Sequence, residues 1–244
     1  MAGFPDRFQK TFRKHKRKNR RGYINSPNNP SGAVLSSESL EKLGKILSEA
    51  EEKFGRKIYL ISDEPYRELV YGETKIPFVT DYYNDTIICY SWSKSLSLPG
   101  ERIGYILVSP ENPDWKEVYF GICGAGRALG FVCAPSLFQK ILPKCVKMTS
   151  DISVYEKNRN LLYKALTEMG FEAVKPEGAF YLFVKSPEPD AKAFSEKAKK
   201  HEILIVPSDD FGIEGYVRIS YCVSTEQIER SLPSFKKLAE EYSL

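Results

Sequence analysis

Thr86-Ile-Ile-Cys-Tyr90-Ser91-Trp-Ser93-Lys94-Ser95-Leu-Ser-Leu-Pro-Gly100-Glu-Arg102-Ile-Gly104 runs an apolar segment into a turn of small residues. A short apolar run ending this way reads as a strand that delivers its last side chains into a cleft. Lys94 sits there among hydroxyls, whereas surface lysines usually keep polar, helix-forming company. Ser91, Ser93 and Ser95, with the Arg102 guanidinium eight residues beyond Lys94, can form a cage for a phosphate dianion. A lysine amine beside a phosphate site suggests a Schiff base to a phosphorylated aldehyde cofactor. Read alone, the same residues also fit a solvated lysine in a loop.

Working outward, Lys57-Ile-Tyr-Leu-Ile61 is a near-continuous apolar strand, of the kind buried on both faces of a parallel sheet. It leads into Ser62-Asp63-Glu64-Pro65-Tyr66. Upstream, Tyr23-Ile-Asn25 reads as a strand end running into Ser26-Pro-Asn-Asn-Pro-Ser-Gly32, a tight turn with Asn29-Pro30 as a candidate cis bond. Ser36-Ser-Glu38 caps a helix with apolar residues at Leu40, Leu43, Leu47, Ala50 and Phe54, and Gly55 ends it. A further strand is expected over Arg102–Val108. This order argues for an α/β sheet with ligand groups at the carboxyl ends of its strands.

Downstream the texture changes. Helical patterns cover about 114–128, 134–148 and 151–169, the last closed by Gly170. Short strands are expected at Phe171–Val174, Ala179–Val184, Ile203–Val206 and Tyr216–Ser220, with helices near 190–200 and 225–241. This is a smaller α+β unit following the first. The expected division is a basic segment at 1–22, a large domain at 23–150 and a small one at 151–244.

The 244 residues suffice for one large domain or two modest ones, and 42% hydrophobic with 28% charged residues is ordinary for a globular protein. The net charge of +4 is concentrated: residues 1–22 hold nine Lys or Arg against one Asp, leaving 27 basic and 31 acidic residues elsewhere. No basic face for nucleic acid follows, and the basic start lacks the aromatic interleaving of a sequence reader. It reads as a solvated arm. No apolar run approaches the roughly 20 residues of a membrane span, and no apolar h-region opens the chain. Five scattered cysteines without a C-x-x-C pair suit reduced thiols in a cytoplasm, with no metal site.

Together, Asn25-Ser-Pro-Asn-Asn-Pro-Ser-Gly32, Asp63-Glu-Pro-Tyr66, Ser91-Trp-Ser-Lys94 with Arg102, Pro176-Glu-Gly-Ala-Phe-Tyr181 and Tyr216-Val-Arg218-Ile-Ser220 resemble class I/II aminotransferases. These are pyridoxal-phosphate enzymes of fold type I. The resemblance covers roughly 22–244, with residues 1–22 outside it. It implies the later part of a mostly parallel large-domain sheet, a smaller α+β C-terminal domain, and a homodimer when complete. The resemblance implies that Lys94 is the Schiff-base lysine and Asp63 the carboxylate facing the pyridine nitrogen. Tyr66 and Asn29 would hydrogen-bond the ring's phenolic oxygen, and Ser91, Ser93 and Arg102 would hold the phosphate. Arg218 would hold the substrate α-carboxylate. The substrates implied are an amino acid and a 2-oxo acid.

The residue types suit those roles. A lysine amine with an ordinary pKa near about 10.4 is a poor base at neutral pH until its environment changes it. An aspartate at a strand end can simply bond the local backbone, but here Tyr66 follows three residues on and Lys94 lies downstream. Arg218 lies in an apolar strand pattern, where burial calls for an anionic partner, either a substrate carboxylate or a structural acid. Arg127, in Gly124-Ala-Gly-Arg127-Ala-Leu-Gly130, is read two ways: as a surface-turn residue, or as an anion-binding arginine for a dicarboxylate substrate. Relatives of this kind carry well over a hundred residues ahead of the Asn-Pro motif, so the basic start is expected to be a truncated or out-of-frame beginning. Two further readings keep the fold but change the function. One is another pyridoxal-phosphate reaction, such as a carbon–sulfur lyase or a decarboxylase. The other is a non-catalytic aminotransferase-like domain.

Overall fold

The computed structural model describes residues 20–244, so most of the basic segment expected at 1–22 lies outside the described residues. The chain forms two compact units. They interleave instead of following one another: Pro27–Val34 and Leu69–Thr74 belong with Asp151–Leu244, and the first unit holds Leu35–Glu68, Lys75–Ser150 and the residues up to Ser26.

The first unit is built on a four-stranded sheet in the order β1 (Arg21–Asn25), β2 (Tyr59–Asp63), β3 (Thr86–Ser91) and β4 (Gly104–Val108). The first three strands run parallel and β4 returns antiparallel. Helix α1 (Ser37–Phe54) follows β1. It begins at Ser36, whose hydroxyl accepts from Ser39 N, and ends at Gly55, which takes the left-handed conformation (φ 60°) that glycine reaches without strain. Its Leu40, Leu43 and Leu47 meet Ile24 of β1, Ile58 just ahead of β2 and Leu60 of β2 in one apolar core. Gly44 lets this packing close, since a Cβ there would stand 2.2 Å from Tyr82 O. Strand β2 starts two residues later than the apolar run suggests, because Ile58 N donates to the Glu51 carboxylate at 2.6 Å and not to a strand. After β3 come the short helix α2 (Trp92–Ser95) and a 3-10 turn at Pro99–Glu101; Arg102 in the left-handed region then shortens the expected 102–108 strand to Gly104–Val108. Helices α3 (Trp115–Ala128) and α4 (Ser136–Cys145) complete the unit, with Pro143 inside α4.

The second unit has helix α5 (Ile152–Glu168), capped by Asp151, and a second sheet in the order β5 (Ala173–Val174), β6 (Tyr181–Lys185), β8 (Tyr216–Ser220) and β7 (Val206–Pro207), all antiparallel. Helices α6 (Ala191–Lys200) and α7 (Thr225–Glu241) pack with it around Leu166, Leu182, Phe194, Val217 and Leu238. Strand β6 begins at Tyr181 instead of Ala179, because Ala179 has a positive φ of 57°. The early segments join this unit through backbone bonds. Glu177 N and Gly178 N both donate to Gly32 O, and Val70 bridges Gly178. The Asn29–Pro30 peptide is cis, as its sequence suggests.

Candidate active site

Parallel strands in register bring their carboxyl ends level, and that is where the first unit's functional side chains stand. Asn25 ends β1 opposite Asp63 at the end of β2, and Asp63 pairs with Cys89 near the end of β3. Asn25 Nδ2 donates to both the Asp63 carbonyl (2.8 Å) and its Oδ2 (3.2 Å), so the carboxyl is aimed before any ligand arrives. Burial, and secondarily Glu64, push the Asp63 carboxyl above its ordinary value. Burial, Asp63 and Glu64 likewise raise the Cys89 thiol. Glu64 itself is buried and compensated: Ser62 Oγ donates to it at 2.8 Å and Arg67 Nη1 at 2.7 Å, and the Arg67 guanidinium lies 3.9 Å from the Phe78 ring centre. It is a structural carboxylate. Asp63, half-buried, is the candidate functional carboxylate of the pair.

Tyr66 follows in the turn after β2 and is buried, with Lys94 Nζ 5.8 Å from its ring centre. Lys94 and Ser93 lie on α2, immediately after Ser91 closes β3. Beneath them, Tyr90 OH and Ser95 Oγ share a 2.8 Å hydrogen bond, and Tyr90 stacks on Tyr105 at 5.0 Å. Ser95 O accepts from Ser150 N at 2.6 Å, so the turn bearing Lys94 is held on both sides of its backbone. Arg102 is exposed, in the left-handed region, and donates to Pro99 O at 2.9 Å. A non-glycine residue there is strained by about 1–2 kcal/mol, and the bond is local, so the structure places Arg102 on the same turn as the serines without showing it bound to them.

In the second unit, Arg218 of β8 donates through Nη1 to Asn29 Oδ1 at 3.0 Å. Its guanidinium carbon lies 4.4 Å from the Tyr181 ring centre and 4.7 Å from that of Phe211. A flat cation held between two rings with one edge hydrogen-bonded has a fixed plane, which suits bidentate capture of a carboxylate. Asn29, expected toward the cofactor, is thus also an orienter of Arg218.

Arg127 lies on α3 of the first unit. It is not in a surface turn: α3 continues to Ala128, Leu129 N closes on Ala125 O, and Arg127 is exposed in the last helical turn. A stretch with two glycines looks like a turn, but helical backbone bonds override that preference. Sequence reasoning passed over Asn25, Tyr90 and Phe211. Only Asn25 left a signal, as a polar residue closing one strand where Asp63 closes its neighbour. Among the described residues, no group of three or more His, Cys, Asp or Glu is placed to hold a metal, and no helix is long and apolar enough to cross a membrane.

Residues 8–235 match the family model for aminotransferase class I and II. The chain belongs to that family. The match begins inside the basic run. Among aminotransferase relatives, the aromatic-amino-acid aminotransferase 2 of Thermococcus litoralis is 34% identical over 91% of this chain and 57% of its own length. The probable aspartate/prephenate aminotransferase of Aquifex aeolicus is 32% identical over 89% and 57%. A solved amino transferase from Eubacterium rectale is 54% identical with a TM-score of 0.93, covering 98% of this chain and 59% of that one. A Thermus thermophilus aspartate aminotransferase variant is 28% identical with a TM-score of 0.83. The chain spans about 57% of the length of the curated aminotransferases it matches.

Proposed function

We propose that this chain carries the lysine-bearing and carboxylate-holding parts of a pyridoxal-phosphate-dependent aminotransferase that exchanges an amino group between an amino acid and a 2-oxo acid, as a homodimer. The observation that supports it most is the level placement of Asp63, Tyr66 and Lys94 at the carboxyl ends of β2 and β3 in a member of this family. The donor set fits the cofactor. Asp63 is a half-buried carboxyl in need of a cationic partner, and a protonated ring nitrogen is one. Tyr66 supplies a hydroxyl, and Ser91 and Ser93 supply two more close to Lys94.

When bound, pyridoxal phosphate supplies an aldehyde carbon that carries the amino group and a ring that accepts the electron pair left at the substrate α-carbon. Asp63 would keep a proton on the ring nitrogen, with Asn25 Nδ2 holding its carboxyl in place. Lys94 Nζ would hold the cofactor's aldehyde carbon and would serve as the base that moves the substrate's α-proton. Tyr66 would hydrogen-bond the ring's phenolic oxygen, the role that the resemblance also gives Asn29. Ser91, Ser93 and Arg102 would bind the phosphate. Arg218 would bind the α-carboxylate of the amino acid or 2-oxo acid. Arg127 is the candidate for the distal carboxylate of an aspartate-type substrate.

A half-reaction tests the reading. Adding aspartate to the cofactor-loaded protein should release one equivalent of 2-oxo acid and leave the cofactor in its amine form. Release of carbon dioxide from aspartate in place of the 2-oxo acid, or of a thiol from a thioether amino acid such as cystathionine, would assign the site to another reaction.

A further inference from the structure

Lys94 stands on a single turn of helix. Helix α2 spans four residues, its closing bond from Leu96 N to Trp92 O is 3.3 Å long, and Ser97 beyond it takes a positive φ of 54°. One turn of helix does not hold its own shape in water, so the direction of the Lys94 side chain depends on what ties α2 to the sheet. Ser95, next to Lys94 and almost fully buried, makes two such ties. Its carbonyl accepts from Ser150 N at 2.6 Å, and its Oγ lies 2.8 Å from Tyr90 OH on β3.

Packing alone does not account for the Tyr90 hydroxyl. The ring lies 5.0 Å from that of Tyr105 and 5.4 Å from that of Trp92, contacts that a phenylalanine would also make. A buried hydroxyl costs free energy unless it is bonded. Glu68 faces it from the segment after β2. Burial pushes the Tyr90 hydroxyl above its ordinary value, the Ser95 bond works against that, and the Glu68 carboxylate pushes it up further. Glu68 in turn lacks another donor. Its buried Oε2 has no other hydrogen-bond partner among the described residues, and neighbouring Arg67 is committed to Glu64, Ile76 O and Pro77 O. A carboxylate oxygen accepts and does not donate, so Tyr90 OH donates to Glu68 and its oxygen is left to accept from Ser95 Oγ. The three groups make one directed, buried chain, and a fully bonded polar chain fixes a single arrangement.

We propose that Tyr90 and Glu68 are positioning residues for Lys94, acting through the Ser95 hydroxyl to set the one-turn helix that carries it. The inference rests on the reading of Lys94 as the cofactor lysine, and adds to it the two groups that aim the amine.

Competitive labelling with acetic anhydride, mapped by mass, reads the reactivity of each lysine amine in the cofactor-free chain. It needs neither cofactor nor turnover, so failure here is separate from failure of the aminotransferase reading. Tyr90→Phe keeps the ring and removes only the hydroxyl. It should raise the Lys94 rate about threefold to tenfold, the worth of one buried hydrogen bond, and leave Lys57 and Lys185 unchanged. Ser95→Ala should do the same, and the double variant should go no further than the larger single change, because both remove one bond. Glu68→Met should resemble Tyr90→Phe, whereas Glu68→Gln keeps an accepting oxygen and should stay near the parent. Met and Gln are similar in size, so a role in packing alone would not separate them. An unchanged Lys94 rate in Tyr90→Phe and Ser95→Ala overturns the proposal. So does a rise shared by Lys57 and Lys185, additive effects in the double variant, or equal effects of Glu68→Gln and Glu68→Met.

Discussion

Arg218 and Asn29 are 189 residues apart in the chain and 3.0 Å apart in the structure, with the guanidinium donating to the amide oxygen. That bond uses one edge of a cation already held between the rings of Tyr181 and Phe211. The remaining edge is therefore presented in a fixed plane, and on the proposed function Asn29 and Arg218 act as a unit. Arg218→Lys keeps the charge but loses the planar fork. It should lower kcat/KM for amino acids by about 2–5 kcal/mol. Asn29→Ala should raise KM for both substrates by roughly tenfold to a hundredfold, the worth of one charge-assisted hydrogen bond. Steady-state kinetics with an amine lacking the carboxylate is the control, and equal losses there would remove Arg218 from carboxylate binding.

Asp63 makes the fold less stable before the cofactor arrives. Its carboxyl is raised by burial and by Glu64, so the folded chain binds its proton more tightly than the unfolded chain does. Stability is then lost as pH rises from the ordinary carboxylate value through the raised one. Asp63→Asn removes that loss and leaves an oxygen to accept from Asn25. The cofactor-free variant should melt higher than the parent near pH 7, the gap closing near pH 3, while cofactor affinity falls. A variant that melts lower than its parent near neutral pH would contradict this account of Asp63.

Two helical glycines separate packing from propensity. At Gly44 a Cβ would stand 2.2 Å from Tyr82 O, whereas at Gly121 it would meet nothing within 4 Å. Gly44→Ala should destabilise by about 1–3 kcal/mol through overpacking. Gly121→Ala should stabilise by about 0.5–1 kcal/mol, because alanine is the better helix former. Denaturant melts of the two variants read both signs.

The candidate site was legible where a polar side chain closes a strand. Asp63 and Lys94 each follow an apolar run, and a strand end announces itself locally. The left-handed Arg102 did not, because its conformation arises from the reversal into an antiparallel β4. Nor could periodicity show that 27–34 and 69–74 leave the first unit, since that depends on Gly32 and Gly178 meeting across most of the chain. Phe211 was hidden for the same reason: its partner Arg218 is close in sequence, but the stack forms only when the Asp209–Phe211 turn folds over β8.

The central claim is that Lys94 is the cofactor lysine, and one measurement bears on it most directly. Pyridoxal phosphate is added to the protein, the visible band is reduced with borohydride, and the digested peptides are mapped by mass. The account predicts a pyridoxyl group on the peptide containing Ser91-Trp-Ser-Lys94, absent in Lys94→Ala. Labelling of another lysine in the unsubstituted protein, with Lys94 unmodified, would contradict it.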